Sequence, residues 1–451
     1  MSNYGFVPHG SEDLSEMLKT VGVGSVDDLY AAIPEKLRIS KLDLPEGISE
    51  YEVLKRLSAL SKRNDSGLVC FMGGGFYDHF IPAAADAIAS RGEFTTCYTP
   101  YQPEVAQGTL QTMFEFQSGM CRLTGLEVSN ASVYDGGSAV FEAAAMSYRV
   151  TGRKRFLVDS AINPIYRNML ESYAANMNFE FCEVPAKDGK ADKEAIKAQL
   201  DNTVAAVILQ NPSFFGCVDD YTDTAKAAHE AGALTVMICY PLSLAYLKTP
   251  GEMGIDIAVG DAQSLGLPLG FGGPYLGFMV TTTKLARKMP GRICGETHDK
   301  NGNRGFVLTL QAREQHIRRE KATSNICSNQ NLCAITATIY LALMGKEGLY
   351  EAAESSAKNA AYALQKLTSI PGVERTFQSP CFNEFAVTLP VCAGKVCEKL
   401  LAKGYAGGIP LGKSFEGMGN VLLVACTEKR TKEEIDGLAA ALKEAIEEVR
   451  K

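Results

Sequence analysis

A phosphate-binding pattern stands ahead of one predicted helix of this sequence. Asp135, Gly136, Gly137 and Ser138 immediately precede residues that predict a helix over 140–150. Two glycines followed by a hydroxyl at a helix start expose several backbone N–H groups, and the helix dipole adds partial positive charge there. These four residues are therefore a candidate phosphate cup, although a glycine turn that simply leads into a helix has the same composition.

A second candidate is a rigid loop that contains Pro100 and Pro103. Aromatic and polar side chains held on such a stiff frame can stack on a ring and donate hydrogen bonds. A purely structural loop leading into a helix near Pro103, a position that proline favours, explains the same residues equally well. The candidate binding residues of this loop are Tyr98, Thr99, Tyr101 and Gln102.

A third candidate is the basic stretch at residues 311–325. Arg318 and Arg319 lie close to hydroxyl and amide side chains, and such a combination suits a carboxylate or a phosphate. A solvated charged surface is the alternative interpretation. The candidate residues are Lys321, Thr323, Ser324 and Asn325. The glycine run at residues 71–76 matches neither a dinucleotide fingerprint nor a P-loop, and it predicts only a tight turn.

Short apolar runs alternate with amphipathic helices from about residue 130 to 282. This alternation predicts a doubly wound, mostly parallel α/β sheet, in which a ligand lies beyond the carboxyl ends of the strands. The predicted strands are 155–158, 179–184, 204–209, 234–238, 257–259 and 276–281, and helices at 165–175, 192–200 and 221–231 separate the first four.

Three regions are expected along the chain. Residues 1–65 predict a helical N-terminal segment, with a helix capped at Ser11 and another capped by Ser49 together with Glu52. Residues 66–326 are expected to form the large α/β domain, including a polar and basic stretch at about 290–326. Residues 327–451 are expected to form a helix at 329–344 and a smaller α+β domain, with a helix around 350–367, strands at 385–389 and 421–426, and a last helix capped by Thr431 with Glu434.

The composition excludes several classes of function. The chain has 451 residues, 46% hydrophobic and 22% charged, and its net charge of −7 argues against nucleic-acid binding. No apolar run approaches the roughly 20 residues of a membrane span, and residues 1–10 show no export signal. The 13 cysteines and 5 histidines lack metal-site spacing. We therefore expect a cytoplasmic protein with reduced thiols, no metal and no membrane or nucleic-acid partner.

Three strings of the sequence resemble one family. Residues 98–108 (YTPYQPEVAQG), the cup at residues 135–138 and residues 313–327 (REQHIRREKATSNIC) are similar to glycine decarboxylase, the P protein of the glycine cleavage system. The length matches subunit 1 of the two-subunit form. The resemblance implies an aspartate-aminotransferase-like fold (pyridoxal phosphate fold type I). It also implies a reaction in which glycine loses CO2 on pyridoxal phosphate and the aminomethyl group passes to the lipoyl arm of the H protein.

The sequence departs from that family at the two diagnostic groups of the cofactor site. The lysine that forms the Schiff base should lie near residues 260–268, where Gln263 and Ser264 stand instead. The acid that pairs with the pyridinium should end the strand that precedes Tyr240, and no acid is present there. Neither an amide nor a hydroxyl can form the imine. No complete catalytic set is therefore expected in this chain.

The resemblance accounts for both absences if this chain is the lysine-lacking subunit. It implies a heterotetramer with subunit 2, two of each chain, in which the partner binds pyridoxal phosphate covalently and this chain does not. Glycine and a lipoylated H protein are then the other partners. The cup at Asp135–Ser138 is expected to be degenerate, and the loops at 98–102 and 321–325 are expected to reach the partner's pocket. Two alternatives remain: a self-sufficient enzyme with an unplaced lysine, and a non-catalytic scaffold.

Overall fold

The computed structural model describes residues 8–39 and 42–451 of the chain. The expectation about an export signal rests largely on residues 1–7, which lie outside the described residues. The chain divides into two compact units, Met1–Ser66 and Gly67–Lys451. The further division of the larger unit near residue 326 remains a prediction.

The first unit is helical. Its helices are Ser11–Val21 and Glu50–Ser61, with 3-10 turns at Asp27–Tyr30 and Glu35–Leu37 between them. The predicted cap at Ser11 is wrong, because Gly10 is the N-cap and the Asp13 carboxylate accepts its N–H at 2.7 Å. The Ser49 and Glu52 capping box is confirmed.

A seven-stranded sheet forms the centre of the second unit. Five neighbouring strands are parallel, and Gly277–Thr281 runs antiparallel to the strands on either side of it. The predicted α/β class and mostly parallel sheet are thus confirmed. The strands, in order across the sheet, are Val128–Ser129, Gly277–Thr281, Ile257–Asp261, Leu234–Cys239, Val204–Asn211, Arg155–Asp159 and Glu180–Val184.

Helices cover both faces of this sheet. Along the strand Val204–Asn211, Val207 and Leu209 belong to one apolar core, while Ala206 and Ile208 belong to the other. Burial on both faces explains why the strand is a continuous apolar run instead of an alternating one. The helices of this region are Gln107–Thr124, Gly136–Thr151, Pro164–Ala174, Lys193–Gln199 and Thr222–Glu230.

The stretch at 290–326 contains regular structure that the sequence did not predict. Strands Ile293–His298 and Arg304–Thr309 form an antiparallel hairpin. Cys294 and Phe306 pack against Leu110 of the helix Gln107–Thr124. Only one face of the hairpin is apolar, so its many polar and basic residues concealed the strands.

The long helix Asn331–Thr368 connects the large core to a smaller one. Its backbone leaves the helical region at Gly345, which accounts for the two helices predicted on either side of that residue. Tyr340 belongs to the large core and Leu367 to the small core. By length and composition alone this helix could span a membrane, but its buried residues are those of a core helix.

The C-terminal part is α+β, as predicted. Its four-stranded antiparallel sheet has the order Glu374–Arg375, Glu384–Thr388, Val421–Ala425 and Ile409–Pro410. Helices Ala393–Ala402 and Lys432–Arg450 pack on it, and the Thr431 and Glu434 capping box is confirmed. The remaining short elements are the helices Ala83–Ala89 and Gln315–Arg318, the strand pair Val69–Cys70 with Tyr405–Ala406, and the strand pair Ala186–Lys187 with Lys190–Ala191.

Candidate functional site

Gln263, which stands in the region of the expected lysine, is fully engaged within the chain. Its side-chain oxygen accepts the N–H of Tyr77 at 2.9 Å. Its amide nitrogen donates to the carbonyls of Tyr77 at 3.1 Å and Leu267 at 2.7 Å. Only 2% of Gln263 is exposed. This side chain therefore clamps the backbone of Tyr77 and offers nothing to a ligand.

Tyr240 follows the strand where the fold expects an acid. Its ring lies 4.5 Å from the ring of Tyr77, centroid to centroid. Its hydroxyl is hydrogen-bonded to His79, whose Nδ1 lies 2.6 Å from a Glu428 carboxylate oxygen. Burial raises the pKa of Tyr240 well above its ordinary value, so the phenol stays neutral. Tyr77 thus contacts Gln263, in the region of the expected lysine, and Tyr240, where the acid for a pyridinium is expected.

The glycine turn that precedes Tyr77 fixes it in this place. Gly74 and Gly75 have φ values of 74° and 105°, so the predicted tight turn is present. The N–H of Gly74 donates to Glu384 at 2.7 Å, and the Tyr77 hydroxyl donates to the same carboxyl group at 2.9 Å. Burial raises the pKa of Glu384 to about 7. This structural role was not recognisable from local patterns, because the partners lie some 300 residues apart.

The candidate phosphate cup is closed by the chain's own groups. Asp135 caps the helix Gly136–Thr151 by accepting the N–H of Ser138 at 2.8 Å. The N–H of Gly136 donates to the buried Asp261 at 3.1 Å, and burial raises the pKa of Asp261 to about 6. A carboxyl group therefore lies where a phosphate would need to bind.

The two glycines of the cup serve the packing of a neighbouring helix. A Cβ atom at Gly136 would collide with the hydroxyl of Tyr166, and one at Gly137 would collide with the sulfur of Met169. Both of those residues lie on the helix Pro164–Ala174. The lack of a side chain thus allows two helices to approach closely and does not open a ligand site.

Pyridoxal phosphate does not fit the residues of this chain. The Schiff-base lysine is absent from residues 260–268, and Tyr77 contacts the side chains at both diagnostic positions, Gln263 and Tyr240. In the candidate phosphate cup, the Asp261 carboxylate accepts the N–H of Gly136. Ser264, the other residue near the lysine position, is buried, and within the described ranges its hydroxyl has no hydrogen-bond partner. Across the same ranges no three His, Cys, Asp or Glu side chains form a metal-binding group.

The loop at residues 98–102 lies at the surface. Tyr98 is 88% exposed, and its hydroxyl donates to the Ser328 hydroxyl at 3.4 Å. Tyr101 is 46% exposed, and its hydroxyl accepts a hydrogen bond from Arg292 at 3.2 Å. Gln102 is exposed and Thr99 half-buried. The polar ends of this loop are thus available to a neighbouring molecule.

The stretch at 321–325 is only partly available. Lys321 and Asn325 are exposed, and Asn325 lines a pocket of about 300 Å³ that Ser138 also lines. The Ser324 hydroxyl donates to the buried Glu142 at 2.6 Å, and the N–H of Thr323 donates to the Arg313 carbonyl at 3.1 Å. Ser324 and Thr323 therefore support the backbone of the stretch.

The structure brings together residues next to the predicted stretches, and Tyr98 of the loop itself donates to Ser328. Asn329 donates to the Ala131 carbonyl at 2.8 Å, and the N–H of Cys327 donates to the Tyr134 hydroxyl at 3.2 Å. Residues 98–102, 131–138 and 321–330 form one contiguous group, here called the loop cluster. Sequence reasoning missed Arg292, the buried residue that joins parts of this cluster, because a single arginine in a polar stretch has no distinctive pattern.

Comparison with known proteins gives a consistent result. A family model described as "Glycine cleavage system P-protein" matches residues 4–442. The chain is 56% identical over 437 residues to "Probable glycine dehydrogenase (decarboxylating) subunit 1" of Nitratidesulfovibrio vulgaris strain Hildenborough, covering 97% of this chain and 99% of that protein. It is 54% identical over 441 residues to the protein of the same description from Geotalea uraniireducens, covering 98% and 100%.

Solved structures support the same assignment. A crystal structure of glycine decarboxylase (P-protein) of the glycine cleavage system, in inhibitor-bound form, matches with a TM-score of 0.90 and 44% identity, covering 97% of this chain and 99% of that chain. A sphingosine-1-phosphate lyase from Burkholderia pseudomallei, at 15% identity and a TM-score of 0.65 over 93% of this chain and 95% of that one, shares the fold. The chain therefore belongs to the glycine cleavage system P-protein family.

Proposed function

We propose that this chain is the non-lysine-bearing subunit of a two-subunit glycine dehydrogenase (aminomethyl-transferring, decarboxylating). The observation that carries the proposal is that Gln263, in the region of the expected lysine, is fully engaged in its clamp on Tyr77. A second subunit supplies the lysine and binds pyridoxal phosphate covalently. Neither chain is expected to decarboxylate glycine alone.

The chemistry depends on the cofactor of that second subunit. Pyridoxal phosphate supplies the electron sink that allows glycine to lose its carboxylate as CO2. The remaining aminomethyl group passes to the lipoyl arm of an H protein. This chain contributes binding and positioning, since no lysine stands at residues 260–268, where the imine would form.

The loop cluster is the part of this chain that fits the edge of the partner's pocket. Tyr98, Tyr101 and Gln102 present exposed polar ends, with Thr99 between them. The other proposed contributors are Lys321, Thr323, Ser324 and Asn325. Lys321 adds an exposed cation suited to a carboxylate or phosphate, whereas Thr323 and Ser324 hold the stretch in place.

The N-terminal unit supports association with another chain. No described residue of its helices Ser11–Val21 and Glu50–Ser61 is buried. Apolar side chains of both helices, among them Met17 and Leu57, are exposed. Exposed apolar surface of this extent is typical of protein interfaces. We propose the second subunit as its partner, with two of each chain in a cytoplasmic complex.

The direct test measures glycine-dependent CO2 exchange. This chain, a candidate second subunit and their mixture are each assayed with pyridoxal phosphate and lipoylated H protein. Activity in the mixture alone is the expected result. Activity from this chain alone would contradict the proposal and favour the self-sufficient enzyme.

A variant of Tyr101 separates a contributing subunit from a scaffold. Tyr101→Phe removes one hydroxyl and keeps the ring, so the complex should still form. We expect activity of the mixture to fall about tenfold, the effect of losing one hydrogen bond of about 1.4 kcal/mol. Complex formation is checked separately by size-exclusion chromatography. An intact complex with full activity would support the scaffold.

A further inference from the structure

Arg292 is the buried cation that joins parts of the loop cluster. Only 3% of the residue is exposed. In the part of the chain that the structure describes, Arg292 forms no ion pair, and its Nε has no hydrogen-bond partner. Burying an arginine in this way is costly unless its charge is used. The residue immediately precedes the strand Ile293–His298, where the sequence pattern predicted only a polar stretch.

Arg292 joins the three stretches of the loop cluster through its guanidinium and its backbone carbonyl. Its Nη2 donates to the Tyr101 hydroxyl at 3.2 Å, and the guanidinium centre lies 5.5 Å from the centroid of the Tyr101 ring. Its Nη1 donates to the Asn329 side chain at 3.4 Å. The backbone carbonyl of Arg292 accepts the N–H of Ala131 at 2.8 Å. One residue thus contacts all three stretches, and two of these contacts use the two terminal nitrogens of its planar guanidinium group.

This contact determines what the Tyr101 hydroxyl can do. Its oxygen accepts a hydrogen bond from Arg292, so its own proton remains free to be donated elsewhere. The residue as a whole is 46% exposed, so Tyr101 lies at the surface of the chain. The adjacent positive charge favours an anion beside it, because charge-assisted hydrogen bonds are stronger than neutral ones.

We propose that Arg292 is a positioning residue that holds the Tyr101 hydroxyl toward an oxyanion in the site completed by the second subunit. The oxyanion is a carboxylate or a phosphate ester, since both accept such a hydrogen bond. This inference rests on the proposed function. The contribution of Tyr101 depends on Arg292, and the buried guanidinium serves this purpose.

A double-mutant cycle in the reconstituted complex tests this dependence. The variants are Arg292→Gln, Tyr101→Phe and the two combined. Each single change is expected to lower kcat/KM about tenfold, and the double variant is expected to fall little further, because both changes remove the same interaction. Arg292→Lys keeps the charge without the fork and is expected to recover part of the loss. Arg304→Gln, on the same hairpin but exposed, is the matched control and should leave activity unchanged.

Two further measurements identify the oxyanion. A raised KM for glycine at unchanged pyridoxal phosphate affinity indicates the substrate carboxylate. Weaker retention of pyridoxal phosphate by the complex indicates the phosphate ester. Losses from the two single variants that multiply in the double variant would overturn the inference, as would full activity of Arg292→Gln. If Arg292→Gln fails to assemble with the second subunit, the cycle is measured with Arg292→Lys, Tyr101→Phe and the two combined. Losses that multiply in this double variant would again overturn the inference.

These outcomes are distinct from a failure of the proposed function. An inactive wild-type mixture would contradict the proposed function itself. If the wild-type mixture is active and the mixture with Arg292→Gln is equally active, only the proposed role of Arg292 is contradicted.

Discussion

Replacing Gln263 by leucine tests whether its amide holds the segment around Tyr77 beside the region of the expected lysine. Leucine has a similar size and cannot form the three hydrogen bonds that Gln263 makes with the Tyr77 N–H, the Tyr77 carbonyl and the Leu267 carbonyl. Each hydrogen bond contributes about 1 kcal/mol net, and each buried backbone group left without a partner costs about as much or more. The expected loss in free energy of unfolding is therefore about 3 kcal/mol.

Urea unfolding followed by circular dichroism measures this loss, since the chain has no tryptophan for fluorescence. Ser264→Ala is the matched control. Ser264 is equally buried, and its hydroxyl lacks a partner among residues 8–39 and 42–451, so its removal should cost little. A loss below about 1 kcal/mol for Gln263→Leu would show that the clamp does not hold the segment and would refute the reasoning.

Two further predictions concern titratable groups. Because burial raises the pKa of Glu384 from 4.5 to about 7, the folded state binds its proton more tightly than the unfolded state. As pH rises from about 4.5 to about 7, the free energy of unfolding of the wild-type chain should therefore fall by up to about 3 kcal/mol relative to that of Glu384→Gln. Urea unfolding of both proteins at several pH values measures the difference. A difference that stays constant with pH would contradict the prediction. Backbone N–H groups, that of Lys395 first, lower the pKa of the exposed Cys392 thiol, whereas burial raises the pKa of Cys217 to about 12. Alkylation should be fastest at Cys392, and its fastest phase should vanish in Cys392→Ser; persistence of that phase would refute the assignment.

Local patterns were enough to predict most of the elements. The buried strands Val204–Asn211 and Leu234–Cys239 were recognisable as apolar runs, because both of their faces are covered. The hairpin Ile293–His298 with Arg304–Thr309 was not recognisable, since polar residues occupy its outer face. The sequence predicted separate helices on either side of Gly345, whereas the structure has one helix with a kink there, because a glycine inside an apolar helical pattern does not reveal whether the helix bends or ends.

The candidate site also has features that local sequence patterns predict and features that only the tertiary structure shows. The sequence by itself determined that the expected Schiff-base lysine and pyridinium-pairing acid are missing, since the residues near Gln263 and before Tyr240 can be read directly. Only the tertiary structure decided what Gln263 contacts, because Gln263 and Tyr77 are 186 residues apart in the chain. It likewise placed Arg292 beneath Tyr101. Contacts between distant segments depend on how the sheet and its covering helices pack, and no local sequence pattern encodes that packing.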